Sequence, residues 1–153
     1  MNCSEKIAPA CRHFGSCGGC TYQDVPYAVQ VAEKENRLSL ILNRKVEVVP
    51  SPIEYGYRNR MDFVCAFGKT GFRMRGRYKE VVDLEECRLL PDRFLPLFLK
   101  LKQAIRDFNI PTYNYLSHKG YLRYLIFRTA ANTNDMLVSF VTASRDDIIQ
   151  PLI

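Results

Sequence analysis

Four cysteines carry most of the chemistry legible in this chain. Cys11, Cys17 and Cys20 stand at C-x5-C-x2-C spacing inside the glycine-rich segment CRHFGSCGGC, and Cys87 follows in a polar turn, EECRLLPD. The first three lie among Gly, Ser, Arg and His, where no hydrophobic core would recruit them, so a metal or cluster outranks disulfides and idle thiols. Structural zinc commonly uses paired C-x2-4-C knuckles. One C-x2-C pair joined by two more distant cysteines is nearer the arrangement that holds an iron–sulfur cluster through four thiolates. Gly15, Gly18 and Gly19 are expected to take left-handed backbone angles that let three sulfurs converge. His13 is a rival ligand for zinc but reads better as a polar loop residue. Cys3 is a spare thiol close to the set, and Cys65, on the apolar side of an extended stretch, reads as an inert core cysteine.

A second chemical feature is basic. Residues 55–80 hold seven Lys and Arg against two acids, nearly the surplus of the whole chain, which is +6. If Arg73, Arg75 and Arg77 share one strand, the two-residue period projects them to one side, and a hairpin brings Arg58 and Arg60 alongside. Such a face, with Lys79, suits phosphates, which Arg binds bidentately. Tyr55, Tyr57, Tyr78, Tyr121 and Tyr124 offer rings for unpaired bases. RNA is the expected partner.

These groups need elements to position them. Asp24 and Pro26 open an amphipathic helix to about Leu42, with Tyr27, Val31, Leu38, Ile41 and Leu42 at helical spacing, packed beside the cysteine loop. Val46 to Val49 reads as a short strand and Tyr57 to Phe67 as a long one, with Met61, Phe63, Cys65 and Phe67 on one face. GKTG at 68–71 is the predicted turn, followed by strands at Phe72 to Arg77 and Glu80 to Leu84. Pro91 to Phe108 is a second amphipathic helix carrying Phe94, Leu97, Phe98, Leu101 and Ile105 on one side. Tyr121 to Thr129, the turn NTND and Met136 to Thr142 form a further hairpin. MLVSFV is apolar on both faces and is therefore expected centrally in the sheet. The fold class is α+β: a mainly antiparallel sheet, two amphipathic helices and an N-terminal cysteine-rich loop.

With 153 residues, 47% hydrophobic and 25% charged, the chain can build a genuine core. No apolar run approaches the ~20 residues that span a bilayer, and MNCSEKIAPAC lacks the pattern of a secretory signal. A cytoplasmic, reducing setting and a monomer are expected. From Ser144 an N-cap pattern leads into Ile148, Ile149, Leu152 and Ile153, and the chain stops there. Residues 144–153 therefore read as the start of a linker or helix leading to a further domain.

The blocks CRHFGSCGGCTYQ, YRNRMDF, GFRMRGRYKEVVDLEEC, GYLRYLIFR and MLVSFVT, in this order and separation, resemble the RNA uracil-5-methyltransferase family from Cys11 to about Thr142. Its members methylate C5 of uridine in rRNA or tRNA. The resemblance implies that Cys11, Cys17, Cys20 and Cys87 hold a [4Fe-4S] cluster, and that residues 1–143 form an iron–sulfur, RNA-recognition domain. Shorter relatives can place a ligand near the N-terminus, so Cys3 stays an outside candidate. It also implies a C-terminal Rossmann-like domain that binds S-adenosylmethionine and supplies the cysteine nucleophile and general base. No Gly-rich strand-to-helix turn and no cysteine beyond Thr142 occur here. No catalytic or S-adenosylmethionine-binding residue is therefore expected in this segment, which alone should be inactive. The alternatives from other classes are a non-catalytic zinc-bound RNA-binding module and an iron–sulfur electron carrier.

Overall fold

The computed structural model describes residues 6–130, 132–133 and 135–152. Cys3, Asn134 and Ile153 lie outside the described residues. The chain runs α1 (Tyr27–Leu42), β1 (Arg60–Ala66), β2 (Lys69–Met74), β3 (Arg77–Asp83), a 3-10 turn (Asp92–Phe94), α2 (Leu95–Asp107), β4 (Leu122–Thr129), β5 (Met136–Thr142) and a second 3-10 turn (Asp147–Leu152). All five strands form one antiparallel sheet in the order β3-β2-β1-β4-β5. The α+β reading is thus observed.

Strand alternation divides the sheet into two faces. Met61, Phe63 and Cys65 of β1 face the main core with Leu125 and Phe127 of β4 and Phe98, Leu101 and Ile105 of α2. Phe63 is its centre, with Phe98 at 4.3 Å, Phe72 at 5.1 Å and Phe127 at 5.6 Å between ring centroids. Val64 and Ala66 point the other way into a smaller cluster with Val81, flanked by Phe67, Tyr115 and Tyr124. With a cluster on each face, β1 is covered on both sides at this end.

Several elements differ from the sequence expectation. The first hairpin turns at Phe67–Gly68, both with positive φ (54° and 74°), and Lys69 already pairs with Ala66. Paired positive φ matches the twist of flanking strands, and that geometry, not the GKTG composition, sets the turn. Val46 to Val49 is no strand: Val46 and Val48 donate their N–H groups to Ser39 Oγ and Glu35 Oε1 of α1, each at 2.9 Å. Donors satisfied along a helix need no ladder partner. The long strand starts only at Arg60, because Gly56 and Arg58 donate to the Arg88 and Leu89 carbonyls at 2.8 and 3.1 Å. No residue of α1 is fully buried, and Leu40 and Ile41 near its end are 82% and 67% exposed.

β5 lies at the sheet edge rather than its centre. Its apolar run serves two surroundings: Val138 and Phe140 pack on the core, while Met136 and Leu137 are exposed. Beyond it, Ser144 bonds Asp146 instead of capping a helix. The segment closes as the second 3-10 turn, whose Ile149 and Leu152 pack on the core.

Helix α2 holds a charge inside its apolar stripe. Lys102, one position past Leu101, is buried and reaches Leu84 O at 2.7 Å and Asp83 Oδ2 at 3.0 Å. Arg106 also pairs with Asp83, so the carboxylate that ends β3 is clamped by two cations of α2. Removing one partner of a buried pair costs about 3–5 kcal/mol. Arg106 still neutralises Asp83 in Lys102→Met, so no charge is left unpaired and the expected loss is smaller, about 1–3 kcal/mol for the orphaned Leu84 carbonyl. Urea unfolding of the two proteins measures it, and an unchanged midpoint would show that the pair contributes nothing net.

Candidate metal centre and basic surface

The cysteine loop is built on backbone turns and then sewn to the sheet. Phe14 N–H donates to Cys11 O at 3.1 Å and Cys17 N–H to His13 O at 2.8 Å, winding 11–17 into consecutive turns. Gly15 alone of the three loop glycines has positive φ, 87°. Gly18 is needed for a different reason. It donates to Arg73 O at 2.9 Å, and a Cβ there would lie 2.9 Å from that same oxygen. Arg75 N–H returns a bond to Ser16 O at 2.8 Å, and Cys17 bridges to Met74. The loop therefore extends the sheet beside β2, past the Val64–Gly71 pair where β1 diverges.

A second set of bonds draws Cys87 to the loop. His13 Nε2 accepts the Glu85 N–H at 3.0 Å. Arg12 N–H donates to Glu86 Oε1 at 2.7 Å, the Arg12 guanidinium pairs with Glu85, and Arg88 Nε reaches Ala10 O at 3.4 Å. The Arg12 N–H, with Arg88 and Arg12 nearby, holds the Glu86 carboxyl below the usual range. Both glutamates of DLEEC thus serve the approach of Cys87. Sequence analysis missed that role, although two adjacent acids before the last cysteine, matched to Arg12 beside the first, were its available signal. With Nε2 occupied as an acceptor, that nitrogen of His13 is not offered to a metal.

Cys11, Cys17, Cys20 and Cys87 consequently line one small cavity of about 20 Å³. Cys17 is buried and the other three are half-buried. Burial pushes the Cys87 thiol up to about 11, and burial also raises Cys11 and Cys17. Among the described residues no three His, Cys, Asp or Glu side chains converge closely enough to hold a single metal ion. The four thiols thus line one space without converging on a single point. Cys65 stands apart, fully buried beneath the sheet and pushed up to about 12 by burial.

The basic residues are less uniform than their spacing suggested. β2 ends at Met74, Gly76 turns the chain with φ 71°, and Arg77 opens β3. Arg73, Arg75 and Arg77 therefore do not share one strand face, because a tight turn interrupts the alternation. Arg75 bonds the Cys20 carbonyl and lies 5.5 Å over the Phe14 ring, so it braces the cysteine loop. Arg77 pairs with Glu80 at 3.3 Å and Arg60 with Asp62 at 2.8 Å. Lys79 lies 5.8 Å over Tyr78, the Arg58 backbone ties to Leu89, and Arg73 stacks 4.8 Å over Tyr115.

The fold and site define an α+β domain in which a cysteine loop is tied to one end of an antiparallel sheet. Comparison with known proteins agrees. The chain is 38% identical over 137 residues to a tRNA (uracil(54)-C(5))-methyltransferase of Pyrococcus abyssi, covering 90% of this chain and 34% of that protein. It is 35% identical over 144 residues to an RNA methyltransferase of Thermotoga maritima, covering 90% of this chain and 33% of that one. The crystal structure of the Pyrococcus abyssi tRNA (uracil-54, C5)-methyltransferase in complex with S-adenosyl-L-homocysteine superposes with a TM-score of 0.79 at 34% identity. That match covers 89% of this chain and 33% of the solved one. No protein-family model matches. The chain belongs to the RNA uracil-5-methyltransferase family, and spans about one third of the length of the relatives it matches. No helix among the described residues is long and apolar enough to cross a membrane.

Thiol reactivity follows from these positions, because the thiolate is the nucleophile and access controls it. Treating native, metal-free protein with iodoacetamide at pH 8 is expected to alkylate Cys11 and Cys20 ahead of Cys87, whose thiol is pushed up to about 11 by burial, while sparing Cys65 until denaturant is added. Mass mapping of the carbamidomethyl groups reads the order. Early modification of Cys65 would contradict its burial.

Proposed function

We propose that this chain is the iron–sulfur, RNA-recognition part of an S-adenosylmethionine-dependent RNA (uracil-5-)-methyltransferase acting on tRNA or rRNA. The observation that carries the iron–sulfur half is the single cavity lined by all four cysteines. Cys11, Cys17, Cys20 and Cys87 are the ligands in this reading, and a bound [4Fe-4S] cluster would join the loop covalently to the connection between β3 and α2. The chain's own residues prepare that junction: Arg12, His13 and Arg88 hold the 85–88 turn in place, and Arg75 braces the far side of the loop. The RNA half rests on the relatives' substrates and on the basic stretch containing Arg58, Arg60, Arg73, Arg75, Arg77 and Lys79.

Methyl transfer itself belongs to residues outside this segment. S-adenosylmethionine supplies the methyl group in such a reaction, and no residue described here is assigned to bind it. The zinc-bound module is less well supported, since one C-x2-C pair with two more distant cysteines is not the paired-knuckle spacing common in structural zinc.

Protein purified without oxygen is expected to carry about four iron and about four acid-labile sulfide per chain, the content of one such cluster. Cys87→Ser should lose them and Cys65→Ser should keep them. Stoichiometric zinc with no iron would overturn the cluster reading. Incubated with labelled S-adenosylmethionine and uridine-containing RNA, the chain alone should transfer no label above background, and reproducible transfer would relocate the catalytic half into this segment.

A further inference from the structure

Most cationic side chains described above are matched to carboxylates: Arg12 to Glu85, Arg60 to Asp62, Arg77 to Glu80, and both Lys102 and Arg106 to Asp83. Arg73 and Arg123 lie over tyrosine rings, and Arg73 also donates one N–H to the Tyr78 carbonyl. Residues 111–115 cross the ends of β1 and β4, where Tyr113 N–H lies 3.1 Å from Cys65 O and 2.9 Å from Leu122 O. This crossing sets Tyr113 and Tyr115 edge to face at 5.1 Å. Arg73 lies 4.8 Å over Tyr115 and Arg123 lies 4.5 Å over Tyr113. The result is a row, Arg73, Tyr115, Tyr113, Arg123, and Tyr115 packs on the sheet face opposite the core that holds α2.

That row contains both buried side-chain polar atoms that lack a hydrogen bond among the described residues, Tyr115 OH and Arg123 Nε. The Tyr124 hydroxyl interacts with Tyr115 but falls outside hydrogen-bond geometry. Buried polar atoms are nearly always partnered, so two orphans in one cluster need an explanation. Both can donate, so what they lack is an acceptor. Neither guanidinium has a carboxylate partner, so an anionic acceptor is the chemical match, and Arg presents its donors in the fork that fits phosphate oxygens. Stacking on a ring fixes the plane of each fork in advance, which lowers the entropy lost on binding.

We propose that the row formed by Arg73, Tyr115, Tyr113 and Arg123 grips the phosphodiester backbone of the substrate RNA. The proposal rests on the reading of this chain as RNA-binding. It moves the main contact from the β2–β3 turn, where Arg75 and Arg77 are engaged by protein acceptors, to the face that carries the second apolar cluster.

Two measurements on the 153-residue chain test it. The first is a salt series of affinity for an RNA hairpin. The double variant Arg73→Gln/Arg123→Gln should bind at least tenfold more weakly. Its log–log salt slope should be smaller by roughly 1.4–1.8, the share of two phosphates. Arg73→Lys/Arg123→Lys keeps the charge and loses the stacked fork, and should recover only part of the affinity. Lys100→Gln, on α2 at the opposite face of the sheet, should have little effect. The second needs no variant: the Nε–H resonance of Arg123 should move downfield and exchange more slowly when RNA is added. Inorganic phosphate at the same anion concentration, or polyglutamate, should leave it unchanged.

Equal losses in Lys100→Gln and the double variant, or an unmoved Arg123 signal in the presence of bound RNA, would overturn the proposed surface while leaving RNA binding intact. A phosphate or polyglutamate response equal to that of RNA would replace it with a free-anion site or a protein-binding one. No RNA binding by the unaltered chain would remove both the surface and the reading beneath it.

Discussion

The constraint on which the rest of this molecule depends is the lacing of a short, turn-rich loop to two remote pieces of sheet. A loop with so few apolar side chains cannot hold itself by burial. It is held by hydrogen bonds whose partners come from sequence separations of more than fifty residues: Gly18 and Arg75 on one side, His13, Arg12 and Glu86 on the other. Each such bond contributes only about 1 kcal/mol net. Several acting together fix the loop between β2 and the 85–88 turn, and the four sulfurs meet over one cavity as a consequence.

The sheet can serve as an anchor because its two faces do different work. One face is a closed aromatic core under α2, in which Phe63 touches three other rings. Its rigidity is transmitted to β2 and β3, and the Asp83 clamp from Lys102 and Arg106 ties the end of β3 to the helix. The other face is covered only at one end, by Phe67 and Tyr115, and the cluster there is small. Aromatic rings stacked under arginines occupy the boundary between its covered and open parts. Apolar surface also remains exposed on α1 and along β5, in a chain that spans about one third of its relatives' length.

Charge shows the same division. The surplus of basic residues is a property of composition, but their engagement is a property of place. Where a strand leaves Arg60 beside Asp62, or a turn leaves Arg77 near Glu80, the cation is neutralised locally. Exposed pairs of this kind add about 0–1 kcal/mol, yet they decide which guanidiniums remain available. Arg73 and Arg123 keep their charge unneutralised among the described residues: both lie over tyrosine rings, and Arg73's bond goes to the neutral Tyr78 carbonyl.

The sequence by itself determined the α+β class, the two helices, the antiparallel hairpins and the identity of the cysteines worth attention, because these depend on local period and on residue chemistry. Met61, Phe63 and Cys65 could be placed on one face of β1, and Cys65 read as inert, from alternation alone. Only the tertiary structure decided the position of β5, since an apolar strand reads alike at the edge and at the centre when one face packs on a core. It also decided that Val46 to Val49 bonds to a helix, because side-chain acceptors leave no period in the sequence. The split of the arginines between two strands depended on a single positive-φ turn at Gly76. The placing of Arg123 over Tyr113 depended on a crossing of segments that only folding brings together.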